Sequence, residues 1–320
     1  MTLTKIINEI KQLKSVLIFS HNRPDGDTIG SATALYYALT SLGIKCDLCC
    51  ESDIPPKYSF IKAVALYKKS KEYLGAILSY DGAISVDCST EMMFSDAYSL
   101  FAKAKKRINI DHHISNTRYA QFNYIENCGA CAEIMYGLIE ELGVEITNDI
   151  ANSLMLGIVT DTGAFAHSNV TPNTLLISSK LLSNGADLHG VIEKMFKSQP
   201  RERADLHAKT MSKIRYELDG RLAITVITRK DLLETGADDS MTEGFIDFPL
   251  SVSGVEVAIS ILETADKRYK ISFRSKGKVN VNEIASIYGG GGHILASGAV
   301  LNGYLEDIID KLTYNVSQRL

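Results

Sequence analysis

No stretch of this 320-residue sequence approaches the ~20 consecutive apolar residues that a membrane-spanning helix needs. The opening Met1-Thr2-Leu3-Thr4-Lys5 lacks the apolar core of a secretory signal. Together these absences set the expectation of a cytoplasmic protein without membrane contact. An excess of positive charge is missing too: 34 Lys and Arg against 38 Asp and Glu leave a formal net charge of −4. Proteins that track along a long duplex or strand carry a basic surface, so the balance argues against that role. It leaves room for a small anionic substrate, which a local pocket or a metal pair can hold. No internal repeat or low-complexity segment occurs. No obligate protein partner is evident, and a homodimer is compatible with the sequence.

Cysteine is sparse, with six residues, four of which form two C-x-x-C spacings. Cys46 and Cys49 fall in an expected strand, where residues three apart face opposite sides. That geometry is poor for a shared metal. Cys128-Gly129-Ala130-Cys131 could open a helix, which leaves a redox or zinc role open. No second well-placed pair accompanies it, so reduced, mostly buried thiols are the simpler expectation.

What is present is a regular alternation of elements. The length suggests two domains, and a 45% hydrophobic fraction is that of a globular chain. Short apolar runs at 15–20, 44–50, 82–87 and 107–111 read as strands. Helical spacing is expected over 28–42, 91–106, 130–142 and 148–160. Alternating strands and helices predict an α/β domain built on a mostly parallel sheet over 1–185. Ligands collect at the C-terminal strand ends of such sheets. The stretch 174–214 has a helical pattern interrupted at Gly185 and Pro200, and 186–214 is expected to be a helical linker. Strand-like runs at 221–227, 255–262 and 268–274 predict a second, smaller α+β domain over 215–320.

Acids and imidazoles recur at the expected strand ends. Asp111-His112-His113 ends one apolar run and Asp87 another. His21-Asn22-Arg23-Pro24-Asp25-Gly26-Asp27 follows the first strand, and Asp161 ends a helix. A dinuclear hydrolytic centre needs two metals ~3.5–4 Å apart, a bridging group and an open position for water. The candidate ligands are His21, Asp25, Asp27, Asp87, His112 and Asp161. Four carboxylates and two imidazoles, with no thiolate, suit Mn²⁺ or Mg²⁺ better than structural zinc. Gly26 is expected to make a tight turn that aims Asp25 and Asp27 at different metals. Each residue has a bland reading: Asp25, Asp27 and Asp87 as helix caps, His112 and His113 as satisfied polar groups, Asp161 as a turn residue. Singly those readings are credible; the joint occurrence of these residues at a sheet edge favours the metal reading.

In the second half, Gly289-Gly290-Gly291-Gly292-His293 could form a nest of backbone N–H groups around an anion. His293 and Ser297 would add side-chain donors, and Arg274 can contact phosphate bidentately. A hinge or turn is the bland reading of the glycine run.

With these motifs in view, the chain resembles the DHH phosphoesterase superfamily over nearly its whole length, the triplet being Asp111-His112-His113. The second half resembles the superfamily's associated domain, through Gly290-Gly291-Gly292-His293 and Ala296-Ser297-Gly298. Within the superfamily it is most similar to the bifunctional oligoribonuclease and 3′-phosphoadenosine 5′-phosphate phosphatase type (the NrnA type). The resemblance implies one metal on His21, Asp25 and Asp87 and a second on Asp27, Asp87, His112 and Asp161, with Asp87 as the bridge. It implies two Mn²⁺ ions, or Mg²⁺ or Co²⁺ in their place. Asp87, His112 and His113 would be catalytic, with His113 facing the scissile phosphate and Asp111 behind it. His113, Arg274, Gly290, Gly291, Gly292, His293 and Ser297 would hold substrate. The implied substrates are short single-stranded RNA, linear dinucleotides such as pApA, and 3′-phosphoadenosine 5′-phosphate. The alternatives are a cyclic di-AMP phosphodiesterase, a manganese pyrophosphatase-like enzyme, and a non-catalytic nucleotide-binding module. Cys128-Gly129-Ala130-Cys131 departs from the family, which is richer in Ser and Thr there.

Overall fold

The computed structural model describes residues 1–320, which form two compact units, Met1–Ser198 and Gln199–Leu320. The first is built on six strands: β1 (Ser15–Phe19), β2 (Lys45–Cys49), β3 (Tyr67–Lys68), β4 (Gly82–Val86), β5 (Arg107–Asp111) and β6 (Phe122–Ile125). All pair in parallel, in the order β3-β2-β1-β4-β5-β6. A parallel sheet is covered on both faces, so its strands are apolar throughout, and every residue of β4 is buried. Val16 and Ile18 face the core made with α1 (Leu3–Ile10), α2 (Gly26–Ser41), α4 (Cys131–Leu142) and α5 (Asn148–Asp161). Leu17 and Phe19 face the opposite core, with Tyr73, Phe94 and Phe101. Cys46 packs against the first core and Cys49 lies in the second, as the strand period requires.

The helix expected over 91–106 does not form. A 3₁₀ segment, Glu91–Ala97, leads into a single α-turn, α3 (Tyr98–Phe101), with Ser95 at φ 53° between turns. Packing overrides propensity here. The break lets Phe94, Tyr98 and Phe101 gather around Phe19 and Tyr119, with ring centroids 5.1–6.4 Å apart.

Small residues let α2 and α5 approach closely. A Cβ on Gly30 would lie 2.3 Å from the Ser153 carbonyl oxygen. One on Gly157 would lie 2.6 Å from Asp27 Oδ1 and 2.7 Å from the Ala132 Cβ. Gly26 serves the same contact, correcting the turn expected there. It is the first residue of α2, and a Cβ on it would meet the Thr160 side chain at 2.4 Å. This approach brings Asp27 and Asp161 to one place. Gly157→Ala is accordingly expected to destabilise the protein by about 1–3 kcal/mol, the range for overpacking. Chemical denaturation measures it, and an unchanged midpoint would show that the helices can separate without cost.

The stretch 186–214 divides between the units. α7 (Leu188–Ile192) and the π-turn Glu193–Lys197 belong to the first, after α6 (Pro172–Ser183); α8 (Arg201–Met211) belongs to the second. The second unit carries β7 (Arg215–Glu217), β8 (Leu222–Ile227), β9 (Val257–Ala265), β10 (Arg268–Ser275), β11 (Gly291–Gly292) and β12 (Ala296–Asn302). Their order is β11-β12-β10-β9-β8-β7, antiparallel except for β8 beside β9. Leu222, Ile224, Ile259 and Ile271 pack beneath α11 (Val281–Ile287) and α12 (Leu305–Ser317). Ile227 and Leu262 pack on the other face with Leu206 and Phe245, near α9 (Arg229–Thr235) and α10 (Asp247–Ser251).

Candidate metal centre

The winding of the first sheet reverses between β1 and β4, and crevices open at such switch points beyond the C-terminal strand ends. His21 follows β1, Asp87 directly follows β4, and Asp111 ends β5 with His112 and His113 after it. Asp25 and Asp27 stand at the start of α2, and Asp161 is the last residue of α5.

The structure brings all six expected ligands together. His21 Nε2 lies 3.6 Å from Asp25 Oδ1 and 3.8 Å from Asp87 Oδ2. His112 Nε2 lies 3.3 Å from Asp161 Oδ2, 3.5 Å from Asp87 Oδ1 and 3.9 Å from Asp27 Oδ2. Asp87 thus presents one oxygen to each imidazole. His113 Nδ1 lies 3.6 Å from Asp87 Oδ1 but hydrogen-bonds Asp111 Oδ1 at 2.8 Å. Asp87 Oδ1 is buried and has no hydrogen-bond partner. A buried carboxylate oxygen without a donor is costly. A cation between the imidazoles and carboxylates would satisfy it, and His and Asp are a donor set that fits such an ion.

Backbone groups fix how these side chains point. A carbonyl can only accept, so the contacts of His21 Nδ1 with Asn22 O (2.9 Å) and of His112 Nδ1 with Cys128 O (3.1 Å) place the hydrogen on Nδ1. Both Nε2 lone pairs are then left for the carboxylate side. Asp25 does cap its own helix, accepting from the N–H groups of Asp27 and Thr28. Asp27 caps a different one. Its carboxylate accepts from the N–H groups of Cys131 and Ala132 at the start of α4, where the helix dipole favours negative charge. The C-x-x-C segment therefore contributes through its backbone. Burial holds the Cys128 and Cys131 thiols well above the ordinary thiol range, which suits neither redox nor metal chemistry. Sequence reasoning did not single out Asn169. Its Nδ2 donates to the carbonyls of Gly129 (2.9 Å) and Asp161 (3.1 Å), tying the loop behind His112 to the end of α5. Nothing in the local sequence marks this polar loop residue.

The acids cannot all ionise at such separations without a cation. Burial and the Asp161 charge push Asp27 up to about 7. Burial pushes Asp161 up to about 6, against the pull of His112. Asp87 is driven well above the usual carboxylate range by burial, then by Asp27 and Asp25. Burial opposes charging His21 and His112, yet their acidic neighbours raise both. In the metal-free protein the folded state therefore holds more protons than the unfolded chain from about pH 4 to about pH 7. Stability must fall as pH rises through that window. Asp25 and Asp111, whose values are lowered, lose their contribution only in acid, below the ordinary carboxylate range. The melting temperature of the chelated protein is expected to drop between about pH 4 and about pH 7. Added Mn²⁺ should reverse the drop, most at the alkaline end, because metal replaces protons. Thermal melts in chelator across that range check this, and a flat or rising profile would contradict it.

In the second unit, the glycine run does not form the expected nest. The N–H groups of Gly289 and Gly290 are bound to the carbonyls of Ser286 and Ala285, and that of His293 to Ala296 O. Gly291 and Gly292 form β11 against β12, and a Cβ on Gly290 would lie 2.1 Å from the Gly298 carbonyl. The glycines are there because two backbones run in close contact. Ser297 also departs from expectation: its hydroxyl is buried and donates to Val281 O at 2.7 Å, fastening the hairpin to α11. His293 is exposed at the hairpin turn. Arg274, on β10, is half-buried and makes one hydrogen bond, from Nη1 to Phe273 O.

Comparison with known proteins shows the family. Residues 15–158 match the DHH family N-terminal domain and residues 219–318 match the DHHA1 domain. The chain belongs to the DHH family of phosphoesterases. It is 30% identical to the bifunctional oligoribonuclease and PAP phosphatase NrnA of Thermus thermophilus, with 90% of this chain and 84% of that protein covered. It is 26% identical to the NrnA of Bacillus subtilis, with 95% and 94% covered. An exopolyphosphatase-related protein from Bacteroides fragilis shares the fold, with a TM-score of 0.91 at 23% identity over 99% of this chain and 95% of that one. No helix is long and apolar enough to cross a membrane.

Proposed function

We propose that the chain is a two-metal phosphoesterase that hydrolyses very short oligoribonucleotides, including linear dinucleotides such as pApA, to nucleoside 5′-monophosphates, and 3′-phosphoadenosine 5′-phosphate to AMP. One bond type unites these substrates: in each, water replaces the 3′-oxygen on phosphorus. The observation that carries the reading is Asp87, with one carboxylate oxygen toward His21 and the other, donorless and buried, toward His112. That is the arrangement of a bridging ligand. The oligoribonuclease and PAP phosphatase names of the relatives support this choice of substrates.

His21, Asp25 and Asp87 would hold one ion, and Asp27, Asp87, His112 and Asp161 the other. Mn²⁺ is the ion this oxygen-rich set favours, with Mg²⁺ or Co²⁺ able to replace it. Two such ions, when bound, lower the pKa of a water and polarise phosphoryl oxygens. The chain's own residues do the rest. Carbonyl contacts keep His21 and His112 in one tautomer. The start of α4 holds Asp27 in place. His113, anchored on Asp111 through Nδ1, keeps Nε2 for the scissile phosphate. In the second unit, Arg274 and His293 would contact the nucleotide's 5′-phosphate, beside Gly290, Gly291 and Gly292, whose lack of side chains keeps the surface open. The cytoplasm is the proposed location.

A substrate panel with Mn²⁺ tests the proposal: 5′-phosphorylated dinucleotides, longer RNA, 3′-phosphoadenosine 5′-phosphate, cyclic di-AMP and pyrophosphate. Linear dinucleotides and 3′-phosphoadenosine 5′-phosphate should be turned over fastest, and chelation should stop turnover. Preference for cyclic di-AMP or pyrophosphate would replace the reading with one of its rivals. Full activity in chelator would end the two-metal mechanism.

A further inference from the structure

Asn116 is assigned no part in the centre, yet its amide lies behind two of the residues that build it. Its Nδ2 is 2.6 Å from Asp111 Oδ2, 2.8 Å from Asn109 Oδ1 and 3.2 Å from the Cys88 carbonyl. Its Oδ1 accepts from the Arg118 N–H at 2.7 Å, which fixes which way the amide faces. Asp111 in turn holds His113 Nδ1 through its other oxygen. Asp111 is completely buried, so the donors on its two oxygens set its orientation, and through it the plane of the His113 ring.

The Cys88 contact reaches the bridging ligand. Asp87 has φ 56°, a conformation that costs a non-glycine residue of order 1–3 kcal/mol and persists only where its surroundings enforce it. The enforcement is visible one residue on. The Cys88 carbonyl accepts from Asn109 Nδ2 (3.1 Å), Tyr119 Oη (3.0 Å) and Asn116 Nδ2. Asn109 and Tyr119 are bound to each other and to Ser85 as well, so two of the three donors belong to the sheet's own polar framework. Asn116 is the donor that also grips Asp111.

We infer that Asn116 is a positioning residue for hydrolysis, acting through Asp111 on His113, with the Cys88 carbonyl as its second anchor. The inference rests on the phosphoesterase reading for its catalytic consequence but not for its geometry. Outer hydrogen-bond partners of this kind are worth ~10–100-fold in activity or metal affinity.

The test combines kinetics on a 5′-phosphorylated dinucleotide with a readout that needs no turnover. Asn116→Ala should lower kcat by about 10–100-fold and leave KM within about threefold. In a His113→Ala background, under single turnover, the same change should cost less than about threefold, because the group it positions is gone. In NMR spectra of the chelated protein, the slowly exchanging His113 Nδ1 hydrogen, identified by its loss in His113→Ala, should exchange faster in Asn116→Ala. Asn116→Asp, which keeps the side-chain size and the acceptor for Arg118, repeats these measurements should the alanine variant not fold. It should give at least as large a loss of kcat, since it sets a second carboxylate against Asp111. A kcat within twofold of the wild type, or an equal loss in both backgrounds, overturns the inference. An unchanged Nδ1 exchange rate overturns it whatever the kinetics. Wild-type protein inactive on the whole panel would instead refute the phosphoesterase reading, while the exchange rate still decides the positioning.

Discussion

Asp87→Asn is expected to lower Mn²⁺-supported hydrolysis by about 10²–10³-fold, the scale on which removal of a key charge-stabilising group acts, while raising the stability of the chelated protein. The two effects have one cause. In the absence of metal the Asp87 carboxylate is buried among Asp25, Asp27 and Asp161, with one oxygen lacking a donor and its pKa far above the usual range. An amide of the same shape carries no charge there, and asparagine tolerates the left-handed backbone that position requires. With metal the sign should reverse, because a neutral amide would be a poor bridge between two cations and would not offset their mutual repulsion as a carboxylate would. Mn²⁺ should therefore raise the melting temperature of the wild type strongly and that of Asp87→Asn little. Melts with chelator and with Mn²⁺, at about pH 8, measure both halves at once. Wild-type turnover in the variant would remove Asp87 from the centre. A variant less stable in chelator would show that the carboxylate is satisfied by something other than a metal.

The site was legible in the sequence to the extent that it sits at strand ends. A parallel strand is a short apolar run, and the residue that terminates it must project beyond the sheet. Asp87, Asp111 and His21 are marked in this way by position alone. Asp161 closes a helix, and its meeting with Asp27 depends on Gly30 and Gly157 letting α2 and α5 touch. That is a long-range fact that no local window contains. The same holds for the aromatic cluster that breaks the helix expected over 91–106, where the pattern was right for a helix but the packing was better served by a kink. The glycine run shows the converse. Four glycines are compatible with a nest or with a strand pressed against another backbone, and only the pairing of Gly291 with Gly298 separates the two. Ser297 reads as a free donor until Val281 is seen above it. Tautomers and amide directions lie wholly outside the sequence, since Asn22, Cys128 and Arg118 act through backbone atoms that every residue carries.

Removing the 5′-phosphate from a dinucleotide is expected to lower kcat/KM by ~10–100-fold, the equivalent of the ~1.5–3 kcal/mol that a charge-assisted hydrogen bond contributes. Arg274→Ala should reproduce most of that loss. Arg274 alternates with Ser272 and Lys270 on one face of β10, where Ala296, Gly298 and Val300 of the paired β12 point the same way. Small partners leave that face open, and a cavity of about 400 Å³ lies farther along it, lined by Lys270, Ser272, Gly290 and Gly298 and not by Arg274. Of the guanidinium's five N–H donors, only one is used within the chain, so a phosphate would find the bidentate edge free. His293, exposed at the turn after β11, is the second candidate. If these residues read the 5′-phosphate, protein and substrate changes must not add. Arg274→Ala or His293→Ala should cost little further on a substrate already lacking its 5′-phosphate, because the partner is absent. The measurement is a cycle of wild type and each variant against pApA-type and ApA-type dinucleotides. Coupling that recovers most of the single losses would make the 5′-end the feature by which a chain with net charge −4 selects short RNA. Full additivity would show that neither residue touches that phosphate, and end recognition through this face would be abandoned even with the metal centre confirmed.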